Sequence, residues 1–424
     1  MTLPIISGEI AIQKLLNRKS VLDSSIESRT KDILDAVIQS GDGALRELTQ
    51  KFDGPLLPNF EVSLEEVGQA FENVGPKLVE ALTQAKENIE TYHKKQLDDG
   101  YEIKDHKQVL RQIITPIENV GIYVPGGKAA YPSTVLMNAV PAKLAGVGQI
   151  IMVTPPAKDG TIKDSLLVAA KLAGVDRIFK VGGAQSVAAL AYGTNSIPKV
   201  DKIVGPGNAY VAMAKKLVAG EVGIDMIAGP SEVVILADET ANPAWVVADL
   251  MAQAEHDEMA SSIVITTSKE LADEVLKSVA KLLPKQPRKE IIEASFKDYG
   301  AIIIVDSMDE AVDISNALAP EHLEIQVADP FALLPKVKHA GAIFMGYYTP
   351  ESVGDYYAGT NHTLPTSGTA RFSNPLNVAD FQKKTSLVYY TKEALQEAQE
   401  HIGLIADEEG LYAHKLAVDI RLGE

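Results

Sequence analysis

The chain has 424 residues, 46% of them apolar, and a formal charge of −17. That length is more than one hydrophobic core usually holds and predicts two or three domains, while the acidity argues against nucleic acid as a partner. Cysteine is absent, which excludes disulfides, iron–sulfur clusters, Cys-ligated zinc and a thiol nucleophile, so any metal must be held by His, carboxylate or amide groups.

The first residues, Met1 to Glu9, lack a basic stretch followed by an apolar one, so no signal peptide is expected. No run of about 18 apolar residues follows, so no membrane span is expected. The expected location is the cytoplasm.

Residues from about 20 to 100 read as helical. Ile33, Leu34, Val37 and Ile38 form one stripe, and Gly41-Asp42-Gly43 turns the chain. Ser63 and Glu66 have capping-box spacing ahead of a long segment. Leu78, Leu82, Ala85, Ile89 and Tyr92 then recur as one helix face would.

From about 117 short apolar runs alternate with helical stretches. The runs lie at 120–124, 150–153, 177–181 and 202–204, and each ends in Gly or Pro. A second series follows at 233–236, 262–265, 301–305, 323–327 and 342–345. Continuous apolar strands between helices predict parallel sheets covered on both faces. The fold class expected is α/β: two doubly wound, incomplete Rossmann-like parallel-sheet domains, with a helical N-terminal segment and a C-terminal helical tail. Ligands should bind in crevices at the strands' carboxyl ends. The tail after about 375 is polar with some apolar surface, so it must dock on its own body or on a partner subunit.

Of the eight histidines, His93, His106, His339 and His401 stand in charged contexts and read as solvated surface. The other four have denser polar neighbours. Gln253 and His256 are i,i+3 on a helix and could reach one ion, or could simply be a polar helix end. Glu321 and His322 follow Pro320 at a loop-to-strand junction, where a neutral imidazole suits a general base; a plain helix end is the other reading. The loop from Gly354 through Asp355 and His362 to Thr366 is polar, aromatic and glycine-punctuated, as a ligand-wrapping loop would be. Glu409 and His414 lie in what reads as a capped terminal helix. No G-x-G-x-x-G opens a helix, and Gly205-Pro206-Gly207-Asn208 stops short of it, so motifs alone assert no nucleotide.

At these residues the chain closely resembles the histidinol dehydrogenase family. The segments that carry the likeness are 119–127, 131–138, 204–208 and 224–232, with Gln253-Ala254-Glu255-His256-Asp257, Pro320-Glu321-His322-Leu323 and Gly359-Thr360-Asn361-His362. The likeness runs from about residue 25 to the C-terminus. It implies oxidation of L-histidinol to L-histidine with two NAD+ through histidinal. It implies one Zn2+ per subunit on Gln253, His256, Asp355 and His414, with His414 and Glu409 given by the other subunit of a homodimer. His322 would be the general base, and Glu321 the base that activates water. Ser231, His362 and Glu409 would contact substrate beside Gln253, His256, His322, Asp355 and His414. Tyr123, Gln185 and Asn208 would contact NAD. The expected division is an N-terminal arm at 1–22, a first α/β domain at 23–115 and 233–375, an NAD-contacting domain at 116–232, and a docking tail at 376–424. A metal-dependent hydrolase using the same ligands is the alternative, and NAD binding separates the two.

Overall fold

The computed structural model describes residues 3–6, 24–126 and 130–423. The expected arm at 1–22 falls mostly outside the described residues, as does Gly127. The chain forms two units, Met1–Gln96 with Ile117–Phe381, and Leu97–Pro116 with Gln382–Glu424.

Strand β1 (Ile5–Ile6) joins a sheet completed far downstream. Strands β2 (Tyr101–Lys104) and β3 (Gln108–Pro116) pair antiparallel in the smaller unit. Strands β4 (Asn119–Tyr123), β5 (Gln149–Thr154), β6 (Arg177–Lys180), β7 (Lys202–Val204) and β8 (Gly223–Ile224) make a parallel sheet in the order β6-β5-β4-β7-β8. Strands β9 (Glu232–Ala237), β10 (Ser261–Thr266), β11 (Ala301–Ile304), β12 (His322–Gln326) and β13 (Ala342–Met345) join β1 in a second parallel sheet, in the order β1-β11-β10-β9-β12-β13. Strand β14 (Gln382–Tyr390) pairs antiparallel with β3.

The apolar runs form these strands because both faces of each sheet are covered. In the five-stranded sheet, Val120, Ile122, Ile150 and Met152 enter one core, while Tyr123, Ile151, Val153 and Phe179 enter the other. In the six-stranded sheet, Val233, Ile235 and Val264 face one core, and Val234, Leu236, Ile263 and Ile265 face the opposite one. Successive residues point to opposite faces, so a largely continuous apolar run suits both. The early helices cover the five-stranded sheet's outer layers. Helix Ser24–Ser40 packs on helices Gly183–Tyr192 and Ala209–Val218, and helix Pro76–His93 packs on Pro132–Ala145.

The capping box is present: Ser63 Oγ accepts from Glu66 N–H at 3.1 Å, and Glu66 accepts from Ser63 N–H at 2.9 Å. Two stripes keep their centres and differ only at their edges. Leu82, Ala85, Ile89 and His93 are the buried face of helix Pro76–His93, whereas Leu78 and Tyr92 are exposed. Ile38 is likewise exposed beside buried Leu34 and Val37.

In the smaller unit the tail helices Lys392–Glu408 and Tyr412–Leu422 pack on one another, and β14 precedes them. Val388, Leu404, Ile405, Tyr412, Leu416 and Ile420 are all exposed on this unit. No helix among the described residues is long and apolar enough to cross a membrane.

Candidate active site

Each sheet reverses strand order once, between β4 and β7 in the first and between β9 and β12 in the second. At the first reversal the groups sit at carboxyl ends, as the fold predicts. Tyr123 closes β4, Gln185 opens helix Gly183–Tyr192 after β6, and Asn208 caps helix Ala209–Val218 after β7. Tyr123 is buried, its hydroxyl accepts from Gly183 N–H at 3.4 Å, and burial pushes its pKa up to about 12. Gln185 is buried with its amide nitrogen unpartnered. Asn208 Oδ1 accepts from Tyr210 N–H at 3.0 Å and Val211 N–H at 3.2 Å, so it holds the helix start.

At the second reversal the arrangement is the opposite. The polar cluster lies at the amino ends of β9 and β12, where Glu232 and His322 begin their strands. The cause is the crossover geometry. Helix Pro243–Ala254 runs back against the sheet, so its last residues, with Gln253 among them and His256 just beyond, return to the strands' amino ends. Pro243 and the Asn242 cap, which accepts from Ala244 N–H at 2.9 Å, start that helix. Glu321 and His322 reach the same place because helix Met308–Leu318 ends at Ala319, a non-glycine residue at φ 49°, and Pro320 forbids continuation. Strained backbone of this kind is often found at functional sites. Asp355 closes the circle from helix Glu351–Tyr356 after β13.

His322 is 3% exposed. Its Nδ1 lies 3.2 Å from the Glu232 carbonyl. A carbonyl only accepts, so Nδ1 carries the proton, and in the neutral ring Nε2 is the basic nitrogen. Nε2 has no hydrogen-bond partner and stands 3.6 Å from Asp355 Oδ1. Burial alone would push the imidazole pKa down. The Glu351, Glu321 and Asp355 carboxylates around it outweigh burial and hold it well above the ordinary value. Glu321 is buried, accepts from Glu232 N–H at 3.0 Å, and burial pushes its pKa up to about 8. Burial lowers His256 and His362. Burial would also raise Asp355, yet the His322, His362 and His256 imidazoles keep it low.

His256, Glu351 and Asp355 each offer a ligand atom within 4.8 Å of one another. Gln253 is fully buried beside them. With its amide nitrogen turned to Glu351 it donates to both carboxylate oxygens, at 2.8 and 2.5 Å, and its oxygen accepts from Glu232 N–H at 3.3 Å. Imidazole, carboxylates and an amide oxygen without sulfur form a donor set that suits a borderline divalent cation such as zinc. His362 joins through Asp355 O (Nδ1, 3.1 Å) and Thr134 Oγ1 (Nε2, 3.3 Å). Ser231 directly precedes β9. A cavity of about 380 Å³ opens beside His256, lined by Tyr131, Leu136, Met137, Glu255, Arg288 and Tyr356. Glu409 and His414 belong to the smaller unit, where both are exposed.

A model of the family described as histidinol dehydrogenase matches residues 16–422. The chain belongs to the histidinol dehydrogenase family. It is 54% identical to the histidinol dehydrogenase of Clostridium acetobutylicum over 417 residues, 98% of this chain and 97% of the relative. It is 52% identical to that of Aquifex aeolicus over 412 residues, 97% of this chain and 96% of the relative. The structure of the histidinol dehydrogenase from Elizabethkingia anophelis superposes with a TM-score of 0.94 at 37% identity, covering 99% of this chain and 98% of that one.

Sequence reasoning missed two residues in this family member. Glu351 stands four before Asp355 on one helix and so shares its face. His93, expected at the solvated surface, is fully buried. Its Nδ1 lies 2.9 Å from Ile89 O, and its Nε2 stands 3.4 Å from Asn361 Nδ2, beside His362. The spacing 82, 85, 89, 93 carries that signal.

Proposed function

We propose that the protein is an NAD-dependent cytoplasmic enzyme that oxidises L-histidinol to L-histidine through a bound histidinal, with two NAD+ consumed. The observation that supports this most is the convergence of two base-capable groups, Glu321 and His322, with Gln253, His256 and Asp355 in one buried site of a histidinol dehydrogenase family member.

The alcohol loses a proton and a hydride to become the aldehyde. His322 Nε2 takes the proton, since Nδ1 is committed to the Glu232 carbonyl. The aldehyde then adds water, and Glu321 takes the water's proton. The hydrated aldehyde again loses a proton to His322 and a second hydride, giving the carboxylate. Ser231 and His362 flank these groups as substrate contacts. When bound, zinc would be held by Gln253, His256, Asp355 and His414 of a second copy, would grip the substrate's imidazole and amine, and would offset the carboxylate charge that keeps His322 protonated. When bound, NAD+ would accept each hydride and lie along Tyr123, Gln185 and Asn208.

The working form is a homodimer in which each copy's tail brings Glu409 and His414 to the other. The exposed Leu404, Ile405, Tyr412, Leu416 and Ile420 on the smaller unit support this, because a second copy would cover them.

The test follows NADH from NAD+ and L-histidinol, before and after chelation and zinc add-back. Two NADH per histidinol, lost on chelation and regained with zinc, is the expected result. No NADH from zinc-loaded protein would overturn the reading. Activity that survives thorough chelation would remove zinc from it.

A further inference from the structure

An amide ligand has an ambiguity that an imidazole or carboxylate lacks. Its oxygen and nitrogen ends have nearly the same shape, and only the oxygen can bind a cation. We infer that Glu351 fixes this choice for Gln253, acting as a positioning residue for the metal site. The inference rests on the metal reading given above.

Gln253 is 0% exposed, so solvent cannot settle which way its amide faces. Glu351, 3% exposed, sets its two carboxyl oxygens 2.8 and 2.5 Å from one terminal atom of the amide. At least one carboxyl oxygen only accepts whether or not the group carries a proton, and both lie within hydrogen-bond distance, so the nitrogen is the end that faces Glu351 and the oxygen faces away. The oxygen then takes one hydrogen bond from Glu232 N–H at 3.3 Å, and a second lone pair remains for a cation. Glu351 is itself held. Its backbone N–H donates to Glu324 Oε1 at 2.9 Å, and Glu324 Oε2 accepts from Gln326 Nε2 at 2.9 Å. Glu351 also shares a helix face with Asp355, so one short helix carries both a ligand and the group that orients another. Groups that orient ligands in this way typically change metal affinity 10- to 100-fold when removed.

The test uses the full chain and three variants: Glu351→Ala, Gln253→Glu, and the double variant Gln253→Glu with Glu351→Gln. Bound zinc per chain and competition against a chelator are measured, with thermal melts alongside. Glu351→Ala should weaken zinc binding about 10- to 100-fold. Gln253→Glu sets two carboxylates face to face and should also weaken it. The double variant exchanges amide and carboxylate, so an oxygen again faces the cation and the interior hydrogen bond is remade. It should bind zinc at least tenfold tighter than Gln253→Glu alone. A double variant no better than Gln253→Glu, or a Glu351→Ala protein with wild-type zinc affinity, would overturn the inference. A wild-type protein that takes up no zinc would instead sink the metal reading on which it rests.

Discussion

Lys215 and Asp225 form an ion pair with side chains only 2% and 1% exposed. They clamp the turn that carries Asn208. Lys215 Nζ donates to Gly205 O at 2.9 Å, and Asp225 Oδ2 accepts from Gly205 N–H at 2.8 Å. Gly205 sits at φ +106°, and a Cβ there would lie 2.2 Å from Tyr123 O, so the turn is pressed against the end of β4. Lys215→Met keeps the length and removes the charge. Removing one partner of a buried pair costs about 3–5 kcal/mol, because the other charge is left uncompensated. Asp225 would keep two donors, Gly205 N–H and Met226 N–H at 2.6 Å, so the cost should fall near the lower end, about 3 kcal/mol. The double variant Lys215→Met with Asp225→Asn carries no buried charge and should recover at least 1 kcal/mol, a coupling that residues in contact show. Urea unfolding followed by fluorescence reads this, since Trp245, the one tryptophan, lies in the same unit. A Lys215→Met protein within 1 kcal/mol of wild type, or strictly additive variants, would refute the reasoning.

Gly359 at φ +100° lies against helix Pro76–His93, and a Cβ would stand 2.4 Å from Asn88 O. Gly359→Ala should cost about 2–4 kcal/mol from the backbone conformation and the clash together, read as a lowered urea midpoint. Burial pushes Asp53 to about 6, and one of its oxygens is buried without a partner. Ionising it therefore costs the folded state, a penalty absent below its unfolded value near 4 and complete above about 6. Asp53→Asn should thus match wild type near pH 4 and gain stability above pH 6. The gain is about 3 kcal/mol before screening and about 1 kcal/mol after allowing for partial exposure; an equal gain at both pH values would rule the cause out. Glu321→Gln keeps the size and the acceptor oxygen but cannot take a proton from water. It should slow histidinal oxidation by about 10²–10⁴-fold while sparing NADH formation from histidinol to histidinal. Equal loss in both steps would assign Glu321 a different role.

What the sequence made legible was whatever local chemistry decides. All nine apolar runs became strands, because a strand covered on both faces is apolar at most positions, and that leaves a mark within five residues. Ser63 and Glu66 cap as their spacing predicts, since both partners lie within one turn. The antiparallel sheet of β2, β3 and β14 left no such mark. Its strands are partly or fully exposed and mix apolar with polar residues, Lys383 and Lys384 among them, and β3 and β14 are joined only across a long separation in sequence. His93 was misread for a similar reason: its charged neighbours Lys94 and Lys95 face away, while the ring follows the buried stripe. Which end of a sheet carries the chemistry is a matter of global geometry. In the first sheet Tyr123 at a strand end and Gln185 and Asn208 at helix starts all lie at carboxyl ends. The second sheet differs because a crossover helix supplies Gln253 from its far end and β12 supplies His322 from its first residue. The two arrangements are complementary: Thr134, on the helix that follows β4, meets His362 beside Asp355. A helix that covers the first sheet and a loop beside the second thus meet at one cluster of acids and imidazoles, which no single doubly wound sheet would assemble.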